Sequence, residues 1–238
     1  MSNKNFDFLV FIGRFQPLHM GHLTVIEAGL QQADQMIILC GSAHQPRSAR
    51  NPWSVTERES MIRGAVSADS NNRIHIAPLM DIAYNDESWV RNVQATVNGL
   101  VTAHHGVPHK APKVGLIGHS KDQSSYYLNL FPQWGAVQVD NFKGISATPI
   151  REAIFTEGTP SNNTSTNNIS DKTYINSNEA KQLLPTNVRQ HVAEFYSTDI
   201  YAEVKGEHDF VEKYKQAWSA APYPPTFVTV DAVIVQSG

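Results

Sequence analysis

The stretch of the chain best suited to chemistry is Gly13-Arg14-Phe15-Gln16-Pro17-Leu18-His19-Met20-Gly21-His22. It follows an apolar run and precedes a helical pattern, so we place it where a strand gives way to a helix. Glycine there allows a tight turn, and the N-terminus of a helix offers unpaired N–H groups to phosphate oxygens. His19 and His22 are three residues apart, so both can project from the first helical turn. The pattern predicts a phosphate site; the alternative is a pair of structural histidines beside a turn.

A second segment of this kind is Ile145-Ser146-Ala147-Thr148-Pro149-Ile150-Arg151. Thr148 is a good N-cap and Pro149 suits the first position of a helix, so we expect a helix to begin there. Ser146 and Thr148 bring hydroxyl groups to that helix N-terminus, and Arg151 can give forked hydrogen bonds to phosphate. Taken alone, the segment is equally compatible with a simple capping motif.

Five short apolar runs predict the strands that must position these segments: Phe8–Ile12, Met36–Gly41, Arg73–Leu79, Val114–Gly118 and Ala136–Val139. Helical patterns lie between them, and Ser54 with Glu57 forms a capping box at the start of one helix. Later helices are expected from Pro185 and around Phe210–Trp218. The alternation predicts an α/β fold, a Rossmann-like parallel sheet flanked by helices, in which ligands bind beyond the carboxyl ends of the strands.

The composition limits the class of protein. Of the 238 residues, 41% are hydrophobic and 17% charged, which suffices for a sizeable core. The net charge of −3 gives no basic field, so nucleic acid is not an expected partner. One cysteine excludes an internal disulfide framework, and His104, His105 and His109 lie in a Gly/Pro-containing loop without metal-ligand spacing, so we expect no protein-held metal. No targeting or membrane-spanning run is recognised, which predicts a cytoplasmic protein that does not enter a membrane.

His19-Met20-Gly21-His22 matches the signature of the HxGH nucleotidyltransferase superfamily, and Ile145–Arg151 matches its second signature, ISxTxxR, at every fixed position. The chain therefore resembles this superfamily, whose members join the α-phosphate of a nucleotide to an acceptor and release pyrophosphate. The longer form GRFQPxHxGH is similar to the archaeal-type nicotinamide mononucleotide (NMN) adenylyltransferases. Three further segments share that similarity: Asn51-Pro52 with Glu57-Arg58, Tyr84-Asn85 with Trp89-Val90, and Leu184-Pro185.

Other segments resemble bacterial proteins in which this domain precedes a Nudix hydrolase, notably Gly118-His119-Ser120-Lys121-Asp122 and Phe131-Pro132. We expect a nucleotidyltransferase domain at residues 1–197 with a flexible inserted loop at 158–178, a helical linker at 198–225, and the first strand of an incomplete Nudix-like domain at 226–238. The Nudix box is absent from the sequence, so no Nudix hydrolase activity is expected.

The resemblance implies a reaction of ATP with NMN that yields NAD and pyrophosphate, with Mg²⁺ carried by the substrate phosphates. It implies three catalytic residues, His19, His22 and Arg151. It assigns ATP to Gly13, Arg14, Phe15, Gly21, Ser146 and Thr148, and NMN to Arg47, Arg50, Asn85 and Trp89. Trp89 would stack on the nicotinamide ring, although its helix face also suits a core residue. Lys121 and Asp122 are further candidates because they follow a strand end. The resemblance is also compatible with a homo-oligomer.

Two other functions stay open at this stage. The chain could be another transferase of the superfamily, with nicotinate mononucleotide or phosphopantetheine as acceptor or with a CTP-derived reaction. It could also be a non-catalytic sensor that binds nucleotides. Because both signatures are complete, catalysis is the favoured interpretation.

Overall fold

Five parallel strands form the central sheet of the computed structural model. They are β1 (Phe6–Gly13), β2 (Ala33–Cys40), β3 (Ile74–Pro78), β4 (Val114–His119) and β5 (Gly135–Val139), in the spatial order β3-β2-β1-β4-β5. In the register, Val10 of β1 lies opposite Ile37 on one side and Leu116 on the other. The predicted fold class is confirmed, and all five predicted strands are found with ends shifted by three residues or less.

The structure describes residues 4–105, 111–119, 130–140, 142–156, 177–219 and 222–223. Lys121 and Asp122, almost all of the predicted loop at 158–178, and the predicted strand at 226–238 lie outside these ranges. The domain boundaries and the terminal strand therefore stay predictions.

Eight helices surround the sheet in the described part of the chain. They are α1 (Met20–Gln32), α2 (Val55–Ala65), α3 (Ala68–Asn71), α4 (Asp86–His105), α5 (Ala147–Thr156), α6 (Asn178–Leu183), α7 (Thr186–Phe195) and α8 (Asp199–Trp218). The capping box of α2 is confirmed, because Ser54 and Glu57 each accept the backbone N–H of the other.

Two local predictions are wrong. Helix α5 begins at Ala147 rather than after Thr148, so Thr148 and Pro149 lie within its first turn, where a proline is tolerated because its missing N–H would have no helical partner. His104 and His105 belong to the last turn of α4 and not to a loop, since the helical pattern continues through residue 105.

The side chains of β1 alternate between two hydrophobic cores, one on each face of the sheet. Leu9 and Phe11 enter the larger core, which α1, α5 and α7 cover. Phe8 and Val10 enter a smaller core covered by α4. Helix α8, in the segment predicted as a linker, adds the buried Tyr201 and Val204 to the larger core.

The strand order reverses at β1, which has β2 on one side and β4 on the other. Helices that leave neighbouring strands toward opposite faces open a crevice at the carboxyl end of the sheet, and this is where such folds bind ligands. The Gly13–His22 segment begins at that end of β1. Within the described ranges, no helix combines the length and the apolar character that crossing a bilayer requires.

Candidate active site

The turn after β1 is shaped by contact between Gly13 and Phe15. A Cβ atom at Gly13 would lie 2.8 Å from Cζ of Phe15, so the close approach of this ring requires glycine. Phe15 has a left-handed backbone with a φ of 52° and a fully buried ring. The ring packs edge-on against Phe11 and against His22, with centroid distances of 5.2 and 4.9 Å. The Phe15 ring therefore packs against the imidazole of His22 and helps to position it.

His19 and His22 cap the start of α1 reciprocally. His19 is the N-cap residue, and its Nδ1 accepts the backbone N–H of His22 at 3.3 Å, while Nδ1 of His22 accepts the backbone N–H of His19 at 3.3 Å. The two rings stack with their centroids 3.6 Å apart. Because each Nδ1 acts as an acceptor, this hydrogen-bond network assigns the proton of each neutral ring to Nε2. The arrangement places an Nε2–H group on each of the two stacked rings at the helix start.

Arg151 joins the second signature to the first. Its Nη1 donates to the carbonyl oxygen of Gln16 at 2.7 Å, and its Nη2 donates to the Thr148 hydroxyl at 3.3 Å. The side chain of Gln16 is itself fixed, because its amide exchanges two hydrogen bonds with the backbone of Trp53, at 2.7 and 3.0 Å. The turn after β1, the start of α5 and the loop before α2 are thus tied together by buried polar contacts.

The two signatures line one cavity of about 290 Å³. Its wall includes seven of the residues predicted to bind ATP or to act in catalysis: Arg14, Phe15, His19, His22, Ser146, Thr148 and Arg151. Gln16, Ile145 and Ala147 complete the lining, so no carboxylate faces this cavity among the residues described there. Gly21 leaves room for the His19 ring, since a Cβ atom there would lie 3.1 Å from Nδ1 of His19.

Arg14 and Arg151 lie in the cavity wall and Arg50 stands beside Arg151, so the cavity is strongly cationic. The pKa of Arg151 is lowered to about 10, chiefly by burial and in addition by the positive charges of Arg14 and Arg50. Burial likewise lowers the pKa of Arg14, helped by Arg50 and opposed by Asp81. Nη1 of Arg14 is buried without a hydrogen-bond partner in the described structure. Like charges that repel one another beside an unused buried donor are suited to a multivalent anion.

Arg58 is a buried residue that connects the loops next to the cavity. Its side chain is 1% exposed, and it donates from Nη1 to the carbonyl oxygens of Arg14 and Gly41, both at 2.7 Å, and from Nε to the carbonyl of Ser54 at 3.2 Å. The ends of β1 and β2 and the cap of α2 therefore converge on one guanidinium.

The predicted NMN residues are placed differently from one another. Arg47 pairs with Glu57 at 2.9 Å and donates to the carbonyl of Pro52, whereas Arg50 is exposed beside Thr148 and Arg151. Asn85 accepts the backbone N–H of Ser88 at 2.9 Å, which caps the start of α4. Trp89 is partly buried against the smaller core, 6.1 Å from the Phe131 ring, which is the core setting in part; its stacking on the nicotinamide ring stays a prediction.

The structural roles of Gln16 and Arg58 were not predicted, because no local sequence pattern indicates them. Their position within the matched motifs was the one feature of the sequence that could have marked them as important. The lone cysteine, Cys40, is buried in β2, and burial raises the pKa of its thiol to about 12, so it is not a nucleophile.

The fold and site together define an α/β domain with a parallel sheet and a cationic cavity at its switch point. The family described as "Cytidylyltransferase-like" matches residues 10–153, and the chain belongs to this family.

Named relatives refine the comparison. The chain is 46% identical over 151 residues to the nicotinamide/nicotinic acid mononucleotide adenylyltransferase of Acinetobacter baylyi, covering 63% of this chain and 76% of that protein. It is 39% identical over 89 residues to the nicotinamide-nucleotide adenylyltransferase of Pyrococcus horikoshii, covering 37% of this chain and 47% of that protein.

Among solved structures, the chain is similar to a bifunctional NMN adenylyltransferase/ADP ribose pyrophosphatase from Francisella tularensis, complexed with AMP and a manganese ion. The TM-score is 0.72 at 30% identity, and the match covers 93% of this chain and 58% of the Francisella chain. The chain thus spans little more than half of that bifunctional protein.

Proposed function

We propose that this protein is an NMN adenylyltransferase that transfers AMP from ATP to NMN, giving NAD and pyrophosphate. The observation that carries the proposal is the single cavity into which both signatures project, with His19, His22 and Arg151 in its wall. The similarity to adenylyltransferases of this substrate class supports it.

In the proposed reaction, an oxygen of the NMN phosphate attacks the α-phosphorus of ATP in line. The bond from that phosphorus to the β-phosphate oxygen breaks, and pyrophosphate leaves with the electron pair. No protein nucleophile is required, so the protein acts by holding two anions together and by stabilising charge on the leaving group.

Six residues of the cavity wall have a role in this scheme. The Nε2–H groups of His19 and His22 donate to phosphate oxygens, with His22 nearest the α-phosphate. Ser146, Thr148 and Arg151 bind the leaving phosphates at the start of α5, where the helix dipole also favours negative charge. Arg14 brings an unused buried donor to the same anion.

Of the two arginines predicted for the acceptor phosphate, Arg50 is the better candidate because Glu57 already neutralises Arg47. A cavity lined by cations and hydroxyls offers no carboxylate cage in its described wall. Mg²⁺ therefore fits as part of the Mg·ATP substrate, where it neutralises phosphate charge.

Nicotinate mononucleotide is a second candidate acceptor, favoured by the Acinetobacter relative, whose name includes both mononucleotides. The test is an assay of the purified full chain with ATP, Mg²⁺ and either NMN, nicotinate mononucleotide or phosphopantetheine, with detection of dinucleotide and pyrophosphate. NAD formation from NMN is expected. Nucleotide binding without product would instead indicate the sensor function.

Within that assay, His22→Ala is expected to lower turnover by about 10²–10³, the usual effect of losing a donor to developing charge. Arg91→Ala provides the control, because Arg91 lies in an exposed ion pair with Glu87 on α4. A loss of less than tenfold for a folded His22→Ala protein would remove His22 from the mechanism.

A further inference from the structure

A second cavity of about 190 Å³ adjoins the first and shares Thr148 and Arg151 with it. Arg50 lies on its wall, and α8 supplies three more side chains, His208, Glu212 and Lys215. Neither signature predicts a role for α8, which begins about 50 residues after the second signature ends.

Helix α8 is held over this cavity by contacts with α5. The Tyr201 hydroxyl donates to the carbonyl of Ile154 at 3.3 Å, and the Tyr201 ring stacks on Phe155 with a centroid distance of 5.8 Å. Two turns further along α8, the mostly buried ring of His208 also stacks on Phe155, with the two centroids 5.6 Å apart. Helix α5 begins within the active-site wall, so α8 is positioned by the same helix that carries Arg151.

Lys215 is the lysine that α8 contributes to the cavity wall. Its Nζ lies 2.8 Å from Glu212 one turn earlier, and 58% of the side chain is exposed. Positions 208, 212 and 215 follow helical spacing, so these side chains share the face toward α5. The cavity wall then carries three permanent cations, Arg50, Arg151 and Lys215, against two carboxylates, Glu152 and Glu212.

We propose that Lys215 is a further substrate-binding residue, which contacts the terminal phosphates of ATP and the pyrophosphate they become. The inference rests on the proposed function, because that function places the ATP phosphates on Thr148 and Arg151. A phosphate chain bound along those two residues can continue from the first cavity into the second. His208 is a positioning residue that seats α8, and Glu212 orients Lys215.

The proposed function gives Arg50 to the acceptor phosphate, and Arg50 borders this cavity too, so the competing assignment is that Lys215 binds the acceptor phosphate together with Arg50. Binding of inorganic pyrophosphate and of AMP to the full chain separates the two, because AMP lacks the terminal phosphates. Lys215→Ala is expected to weaken pyrophosphate binding by about fivefold to tenfold, in keeping with loss of one charge-assisted contact at a partly exposed site, and to leave AMP binding unchanged. Lys215→Arg should restore pyrophosphate binding.

Lys213→Ala is the matched control. Lys213 is exposed on the same helix and turned about 200° away from Lys215, so its loss changes net charge equally without touching the cavity. In steady state, Lys215→Ala should raise the KM for ATP and leave the KM for NMN unchanged.

Three results would overturn the inference: pyrophosphate binding equal to that of the parent, an equal loss in Lys213→Ala, or a change confined to the KM for NMN. Pyrophosphate binding requires no turnover. If the parent makes no NAD but Lys215→Ala weakens pyrophosphate binding, the proposed function alone is defeated. If the parent makes NAD but Lys215→Ala binds pyrophosphate as the parent does, this inference alone is defeated.

Discussion

The guanidinium of Arg58 donates a hydrogen bond to the carbonyl oxygen of Arg14 across 2.7 Å, although 44 residues separate the two in the chain. The same Nη1 also reaches the carbonyl of Gly41 at 2.7 Å. One buried cation thus sets the relative position of the loops after β1 and β2, and Arg14 is the first cationic residue of the cavity wall.

Replacing Arg58 should therefore affect both stability and activity. Arg58→Met keeps much of the side-chain volume but removes the guanidinium donors to the carbonyls of Arg14 and Gly41, while the Ser54 carbonyl keeps the backbone N–H of residue 58. We expect a loss of about 3 kcal/mol in the free energy of unfolding, measured by urea denaturation, together with a lower kcat/KM. Arg63→Met is the control on the same helix, since Arg63 pairs with Glu59 at the surface and should cost less than about 0.5 kcal/mol. Equal stability of the two variants would show that the Arg58 contacts contribute little.

The two roles of His19 can be separated by substitution. His19→Asn keeps an N-cap acceptor for α1 but lacks the Nε2–H donor, so turnover should fall by about 10² while the free energy of unfolding stays within about 0.5 kcal/mol of the parent. His19→Ala removes both functions and should also cost about 1 kcal/mol of stability. Turnover from NAD formation and urea unfolding measure the two effects. Parent-like turnover in His19→Asn would mean that this ring serves only as a cap.

The sheet and the heart of the site could be predicted because their signals are local. Each strand is a short apolar run, and His19, His22 and Arg151 lie in segments whose spacing alone brings them to helix starts. The start of α5 was misplaced because two hydroxyl residues flank Ala147, and either can precede a helix.

Long-range contacts escaped prediction for a different reason. The pairing of Gln16 with the Trp53 backbone joins residues 37 apart, and no periodicity encodes it. Arg47 and Arg50 are equivalent in sequence, and only the fold shows that Glu57 holds one and leaves the other beside Arg151. The packing of α8 against Phe155 likewise depends on tertiary structure, since the helical pattern of α8 is equally compatible with a free linker helix.

His75 lies on β3 at the edge of the sheet, far along the chain from either signature. Its ring stacks on His104 of α4 with centroids 3.7 Å apart, and its Nε2 lies 3.0 Å from Oε1 of Gln35 on β2. Burial lowers the pKa of His75 below 6.5, and the charges of His104 and Arg63 act in the same direction. The unfolded chain has a histidine pKa of about 6.5 at this position. As the pH falls, the unfolded chain therefore binds the proton at a higher pH than the folded chain does.

The free energy of unfolding should consequently decline as the pH falls below about 6.5, and the decline should continue until the lowered folded-state pKa has been passed. Urea denaturation at about pH 7.5, 6.5 and 5.5 measures it. His75→Phe keeps an aromatic ring against His104 but cannot titrate, so it should lose less stability than the parent between the first and last pH. His44, which is exposed after β2, offers the control: His44→Asn should retain the parent's pH dependence. If His75→Phe showed the same decline in stability as the parent, His75 would not be the cause of the acid sensitivity, and other groups would have to account for it.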